Sequence, residues 1–203
     1  MSTTQNRFTQ ACRIFKQHSG LLRMGEAIIL GIDRNLLYAM KKEGVIERLN
    51  RGLYRLTDLP PMTNPDLVSV SRKVPAGVVC LISSLYFHEI TTQVPHEVQL
   101  AILRGTEPPR VDYPPTRIFI FSQQPFKAGI NIHRLDGVDV PIYSPAKTII
   151  DCFKYRNKIG FDVAMEALKL FHNHRDFNLN ELMEYARVCR VEKVMRPYVE
   201  ALL

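Results

Sequence analysis

"DRNLLYAMKKEGVIERLNRGLYRL", Asp33 to Leu56, is the stretch on which the fold turns. Its first half has helical spacing. Asp33 is an N-cap candidate, Leu37 and Met40 fall on one side, and Arg34, Tyr38 and Lys41 fall on another with Lys42 close by; Gly44 suits a C-cap. Its second half changes period. Two β-prone arms flank "NRG", where Gly52 can take a positive φ without strain, as a three-residue hairpin loop with a bulge requires. The spacing therefore predicts a helix over about Arg34 to Glu43 with a basic and aromatic outer side, followed directly by a two-stranded ribbon.

Working upstream, "QNRFTQACRIFKQHSG" places Phe8, Ala11, Cys12, Ile14 and Phe15 near helical spacing, and Gly20 suits the end of that helix. "MGEAIILGID" reads as a short apolar helix closed by Gly31. Helix, short helix, turn, helix and ribbon in this order make a winged helix-turn-helix. The second helix of such a unit enters the major groove, so Arg34 is placed to donate bidentately to guanine and Asn35 to pair with adenine, while Tyr38, Lys41 and Lys42 meet bases or phosphates. On the ribbon, Arg48, Asn50, Arg51 and Arg55 cluster at and beside the tip, where a wing lies along the backbone or in the minor groove; Tyr54 and Leu56 are read as packing beneath it. A solvated face with no specific partner is the competing reading of these charges.

Working downstream, "TDLPPMTNP" carries three prolines, which remove backbone donors and disfavour helix. The expected division is a winged domain over 1–58, a linker over 59–64 and a carboxy-terminal domain over 65–203. The fold class is α+β throughout. The second domain should begin with a helix near Asp66 to Lys73 and continue through "GVVCLISSLYFHEI" as a strand or buried turn into a helix. Strands follow at "HEVQLAIL", "RIFIFS" and "INIHRLDGVDVPIY", the last with Asp136-Gly137 as its turn. From about residue 144 the pattern is helical. Ser144 caps a helix with Pro145 at its first position, Val163, Ala167, Leu170 and Phe171 form one stripe, Asn178 caps another helix, and Pro197 kinks or splits the last.

The chain has 203 residues, 46% hydrophobic and 23% charged, a composition that buries a core and is not biased toward disorder. Its net charge of +7 favours an anionic partner. That charge is unevenly spread: residues 1–58 hold 10 Lys/Arg against 5 Asp/Glu, and residues 59–203 hold 17 against 15. No apolar run reaches the length of a membrane span, the amino terminus lacks the order of a signal peptide, and the four cysteines form no C-x-x-C pair, so a cytoplasmic protein with reduced, mostly buried thiols is expected.

Catalysis has little to stand on. His172-Asn173-His174 has the wrong spacing for two ligands on one helix face. Glu97, Asp112, Asp151 and Lys154 lack a local motif that would gather them around a metal, and no phosphate loop, nucleophile elbow or zincin motif is present. No catalytic, metal or cofactor residue is assigned, and the chain is not read as an enzyme.

The helix-turn-helix ending in "GVIERLNRGLYRL", the "SSLYFHEI" segment and "YSPAKTIIDCFKYRNKIGFDVAMEAL" resemble the AbiEi antitoxins of abortive-infection (type IV) toxin-antitoxin systems, which act in phage defence. The resemblance runs over most of the chain, and its more specific mark is S-P-A-K-T-I-x-D followed by I-G-x-D-x-A. It implies a transcriptional autorepressor whose winged domain binds inverted repeats of double-stranded operator DNA, as a monomer or weak dimer acting cooperatively. It also implies a carboxy-terminal domain that counters a nucleotidyltransferase toxin without a stable complex. Ser144, Lys147, Thr148 and Asp151 match the motif of that second domain, and for them a structural role stands beside a functional one. Two other readings remain at this level: a nuclease or RNA-modifying enzyme positioned by its winged domain, and a protein-interaction module whose winged domain no longer binds DNA.

Overall fold

A computed structural model of the protein describes residues 3–202, with side chains from Asn6 onward. It divides into two compact units, one comprising the chain up to Ser69 together with Arg134–Val138, the other Val70–His133 and Asp139–Leu203.

The first unit starts with helix α1 (Thr3–Gln17), followed by strand β1 (Leu21–Arg23), helices α2 (Met24–Ile29) and α3 (Arg34–Lys42), and strands β2 (Ile46–Asn50) and β3 (Leu53–Leu56). The strands make an antiparallel sheet in the order β1-β3-β2. The third strand, β1, was not evident from the sequence because "LLR" is too short to show a period of two. Ala11 and Phe15 of α1, Leu22 of β1, Ile32, and Leu36, Leu37 and Met40 of α3 close one apolar core with Ile46, Tyr54 and Leu56 of the ribbon. At the end of α1 the Gly20 N–H donates to the Phe15 carbonyl, and the backbone takes φ +73°. The positive φ favours glycine there, and a β-carbon would in addition push the Leu59 side-chain end aside.

The second unit contains the carboxyl half of α4 (Pro65–Lys73), then β4 (Val78–Val79), α5 (Leu81–Phe87), β5 (Val98–Leu103), β6 (Thr116–Phe121), α6 (Gln123–Lys127) and all but the joining ends of β7 (Ile130–Leu135) and β8 (Val138–Tyr143). The strands form a mixed sheet of order β6-β5-β4-β8-β7, with β4 antiparallel to β5 and parallel to β8, and β5 parallel to β6. Helices α7 (Pro145–Lys154), α8 (Arg156–Ile159), α9 (Phe161–His172), α10 (Leu179–Val188) and α11 (Glu192–Glu200) complete the chain. The fold class is α+β, as read.

Helix α7 is the centre of this unit. Its side chains from Ala146 to Phe153 are all buried, because α5, α9 and α10 pack around it. Its start follows the capping reading, with the Lys147 N–H donating to the Ser144 hydroxyl and Pro145 in the first turn. Asn178 likewise accepts from the N–H groups of Asn180 and Glu181.

Two helical expectations change. The buried stripe of α9 is Val163, Ala164, Ala167, Leu168 and Phe171, while Leu170 points outward, 40% exposed. Helix α11 runs unbroken through Pro197 and is not split there.

Candidate nucleic-acid interface

The recognition-helix residues lie on one outward stripe. At 3.6 residues per turn, Arg34, Asn35, Tyr38, Lys41 and Lys42 fall within about 120° of arc, and all five are exposed. Leu36, Leu37 and Met40 occupy the opposite arc and are buried. The helix is started by Asp33, whose carboxylate accepts the Leu36 N–H at 2.9 Å and pairs with Arg7 of α1 at 2.6 Å. The Leu36 N–H, more than the neighbouring Arg7, holds this carboxyl below its ordinary range.

The ribbon divides its basic residues into two groups. Arg51 at the tip and Arg48 on β2 are exposed, and the Arg48 Nε donates to the Asn50 carbonyl at 3.0 Å, which lays the guanidinium along the turn. Asn50 and Arg55, expected to face DNA, point inward instead. The Asn50 amide donates to the Ser69 hydroxyl; Arg55, on the central strand of the sheet, pairs with Glu47 at 3.0 Å and donates to the Pro60 carbonyl.

A β-bulge gives Arg55 its acidic partner. An unbulged ribbon closing on the Asn50–Leu53 pair would set Arg48 opposite Arg55, two like charges. The register shift between Arg48 and Asn50 instead sets Arg48 opposite Tyr54 and Glu47 opposite Arg55. The closing loop is thus the two residues Arg51 and Gly52, with Gly52 at φ +80°, and the extra residue sits in the β2 arm.

Tyr54 lies opposite Arg48 in the ribbon and is buried in the core beneath it. Its buried phenol is pushed above the ordinary range by desolvation, and both Arg48 of the wing and Tyr38 of α3 lie within electrostatic reach of it. The acids of this unit are mostly spent inside it: Asp33 on Arg7, Glu47 on Arg55, Asp58 on Lys16 at 3.2 Å, and Glu26 on the Arg23 N–H at 2.8 Å. Among the described residues, Arg34, Lys41, Lys42, Arg48 and Arg51 have no acidic partner. The pairings of Asp33, Glu47 and Asp58 were beyond sequence reasoning, since each partner comes from another element or depends on the bulge.

Residues 13–57 match the family model described as transcriptional regulator, AbiEi antitoxin. The winged domain resembles that of the AbiEi antitoxins. The match ends before α7, so it rests on the helix-turn-helix and wing and not on the S-P-A-K-T-I-x-D stretch that looked more specific in the sequence. Among solved structures, the crystal structure of the RV2827C protein from Mycobacterium tuberculosis is similar with a TM-score of 0.62 at 10% identity, covering 92% of this chain and 72% of that one. At that identity the likeness is one of fold. No curated protein matches the chain significantly.

The motif residues of the second unit are sealed. Ser144, Lys147, Thr148 and Asp151 are buried, the last three completely. The Lys147 ammonium lies 2.5 Å from the Asp151 carboxylate and 4.1 Å from the centre of the Tyr143 ring. Burial pushes the Asp151 carboxyl up, and Lys147 partly offsets that. The Thr148 hydroxyl bonds with that of Ser84 at 2.8 Å, and Ser84 also donates to the Tyr143 carbonyl. Gly129 passes so close that a β-carbon on it would overlap the Lys147 stem. Such an arrangement joins α7 to α5 and β8; it offers no side chain to an external partner. His172 and His174 are likewise engaged locally, His172 edge-on to Phe177 and His174 accepting the Asp176 N–H at 3.2 Å.

Proposed function

We propose that this chain is an antitoxin and transcriptional autorepressor of the AbiEi type that binds duplex DNA through α3 and the wing. The observation that carries the reading is the set of five exposed cations without acidic partners, Arg34, Lys41, Lys42, Arg48 and Arg51, in the same small domain that matches the family model. Arg34 and Asn35 at the start of α3 take the base-reading positions. Tyr38, Lys41 and Lys42 follow along the helix, and Arg48 and Arg51 hold the backbone beside it. Asn50 and Arg55 support the wing from within.

The finer parts of the reading follow the family resemblance. The operator is an inverted repeat near the chain's own promoter, occupied cooperatively by a monomer or weak dimer. Residues from 65 onward oppose a nucleotidyltransferase toxin without a stable complex, and no catalytic step is assigned to the chain. A gel shift on the DNA upstream of its own coding sequence, with and without divalent metal, tests this. Retarded, uncleaved DNA is expected; cleavage in the presence of metal would support the nuclease reading, and no retardation at low salt would remove the DNA-binding one.

A further inference from the structure

Beyond the DNA-binding reading, the second unit holds a separate basic cleft of about 600 Å³. Arg104 follows β5, Lys154 ends α7, and Arg190 occupies the turn between α10 and α11; all three line it, and no Asp or Glu does. None of the three has an acidic partner among the described residues. Glu192, the acid nearest Arg190 in sequence, is held by Arg187 at 3.5 Å and Arg196 at 2.6 Å.

Each cation is placed by a fixed element. The Arg104 N–H extends the sheet by donating to the Phe121 carbonyl at 2.7 Å. Arg190 sits at φ +59°, a left-handed conformation uncommon for a residue with a β-carbon, and its N–H donates to the Arg187 carbonyl at 3.0 Å. Three like charges around one concavity repel one another unless an anion lies between them. At the floor, burial and the Asp151 carboxylate behind it push the Cys189 thiol up to about 11, so it stays neutral. Asp151 itself is fully buried and paired with Lys147, and is not among the residues lining the cleft.

The remaining walls suit the rest of a ligand. Pro125, Val188 and Val191 offer an apolar side, and Ser122, Gln123 and Gln124 offer hydroxyl and amide groups. An adjoining depression shares Gln123, Gln124 and Val188 and adds Lys127. The volume falls in the range of about 300–1,000 Å³ typical of small-molecule sites. We propose that this cleft binds a nucleoside di- or triphosphate, the polyphosphate lying among Arg104, Lys154 and Arg190 and the base against the Pro125–Val191 side.

Calorimetric titration of the full-length protein with ATP, GTP, CTP, UTP, pyrophosphate, inorganic phosphate and a single-stranded RNA oligonucleotide tests it. At least one nucleoside triphosphate should bind once per chain and more tightly than inorganic phosphate. R104Q/R190Q should weaken that binding at least about tenfold, the loss expected when charge-assisted phosphate contacts are removed. K154Q, which leaves both arginines in place, should show a smaller loss, and R104K/R190K a partial rescue, with unchanged thermal midpoints in the absence of nucleotide. Absence of nucleotide binding, undiminished binding by R104Q/R190Q, or equal affinity for inorganic phosphate would overturn the proposal. So would tighter binding of the oligonucleotide that is lost in the same variant, since that makes the cleft part of a polynucleotide surface. A gel shift of R104Q/R190Q on promoter DNA, expected to match wild type, separates failure of this cleft from failure of the winged-domain reading.

Discussion

Lys41 and Lys147 carry the same ammonium group in opposite settings. Lys41 stands exposed on the outward stripe of α3 among other cations, with no acid engaging it. Lys147 is fully buried in α7, paired with Asp151 and covered by the Tyr143 and Phe121 rings. In the sequence the Lys147 motif is the more specific mark of the family resemblance, while the recognition helix carries the functional reading and a structural role for the motif stands beside a functional one. Burial favours the structural role for Lys147, because a sealed ion pair specifies packing, whereas an exposed, uncompensated cation such as Lys41 is free to meet a phosphate.

The largest test of this contrast is K147A. It strands the Asp151 carboxylate in a fully buried site, so unfolding in urea should show a loss of about 3–5 kcal/mol, and K147M/D151L should recover most of it. A fully stable K147A protein would mean that the pair is not sealed.

On the exposed side, R34A should cost about 1–3 kcal/mol of DNA-binding free energy if the guanidinium reads a base, measured by fluorescence anisotropy, with unchanged urea stability. R51A should act mainly through the phosphates and lower the slope of log affinity against log salt by about 0.9.

R55A sharpens the comparison inside the wing. Losing a largely buried arginine bound to Glu47 and the Pro60 carbonyl should cost about 1–3 kcal/mol of stability and leave the salt slope of DNA binding unaltered in the folded protein. A lowered slope would return Arg55 to the DNA surface.

The smallest effect expected is at acid pH. Asp33 has a folded-state pKa below its unfolded value of about 3.9. Its stabilising contribution is therefore complete above that value and is lost as pH falls through the lower, folded one. D33N should flatten the fall of the urea midpoint below about pH 4 relative to wild type.

Much of the architecture was legible from local rules. The Asp33, Ser144 and Asn178 caps and the Gly20 and Gly52 conformations each depend on a few neighbouring residues, and they stand as read. The stripe of α3 was legible because one apolar side at a 3.6 period leaves the other to water. What was hidden depends on partners distant in the chain or on register. β1 is defined only by pairing with β3 across thirty residues of sequence. The pairing of Arg55 with Glu47 follows from one extra residue in β2, and Asn50 is held by Ser69, a partner distant in the chain; no composition rule reveals either. Leu170 was assigned to the core because its spacing fits a stripe with Val163, Ala167 and Phe171, but the buried face of α9 is turned toward Ala164 and Leu168 and leaves Leu170 outside its edge. The cleft of Arg104, Lys154 and Arg190 assembles side chains from three elements and had no sequence signature at all.

The central claim is that the cations of α3 and the wing tip form one surface for duplex DNA. Its most direct test is the salt dependence of binding to the chain's own promoter region, wild type against the R34A/K41A/K42A/R51A variant, with circular dichroism confirming an unchanged fold. The account predicts a steep log–log slope for wild type that falls by up to about 0.9 for each phosphate contact removed, together with a marked loss of affinity. Equal affinity and equal slope in a folded variant would contradict it.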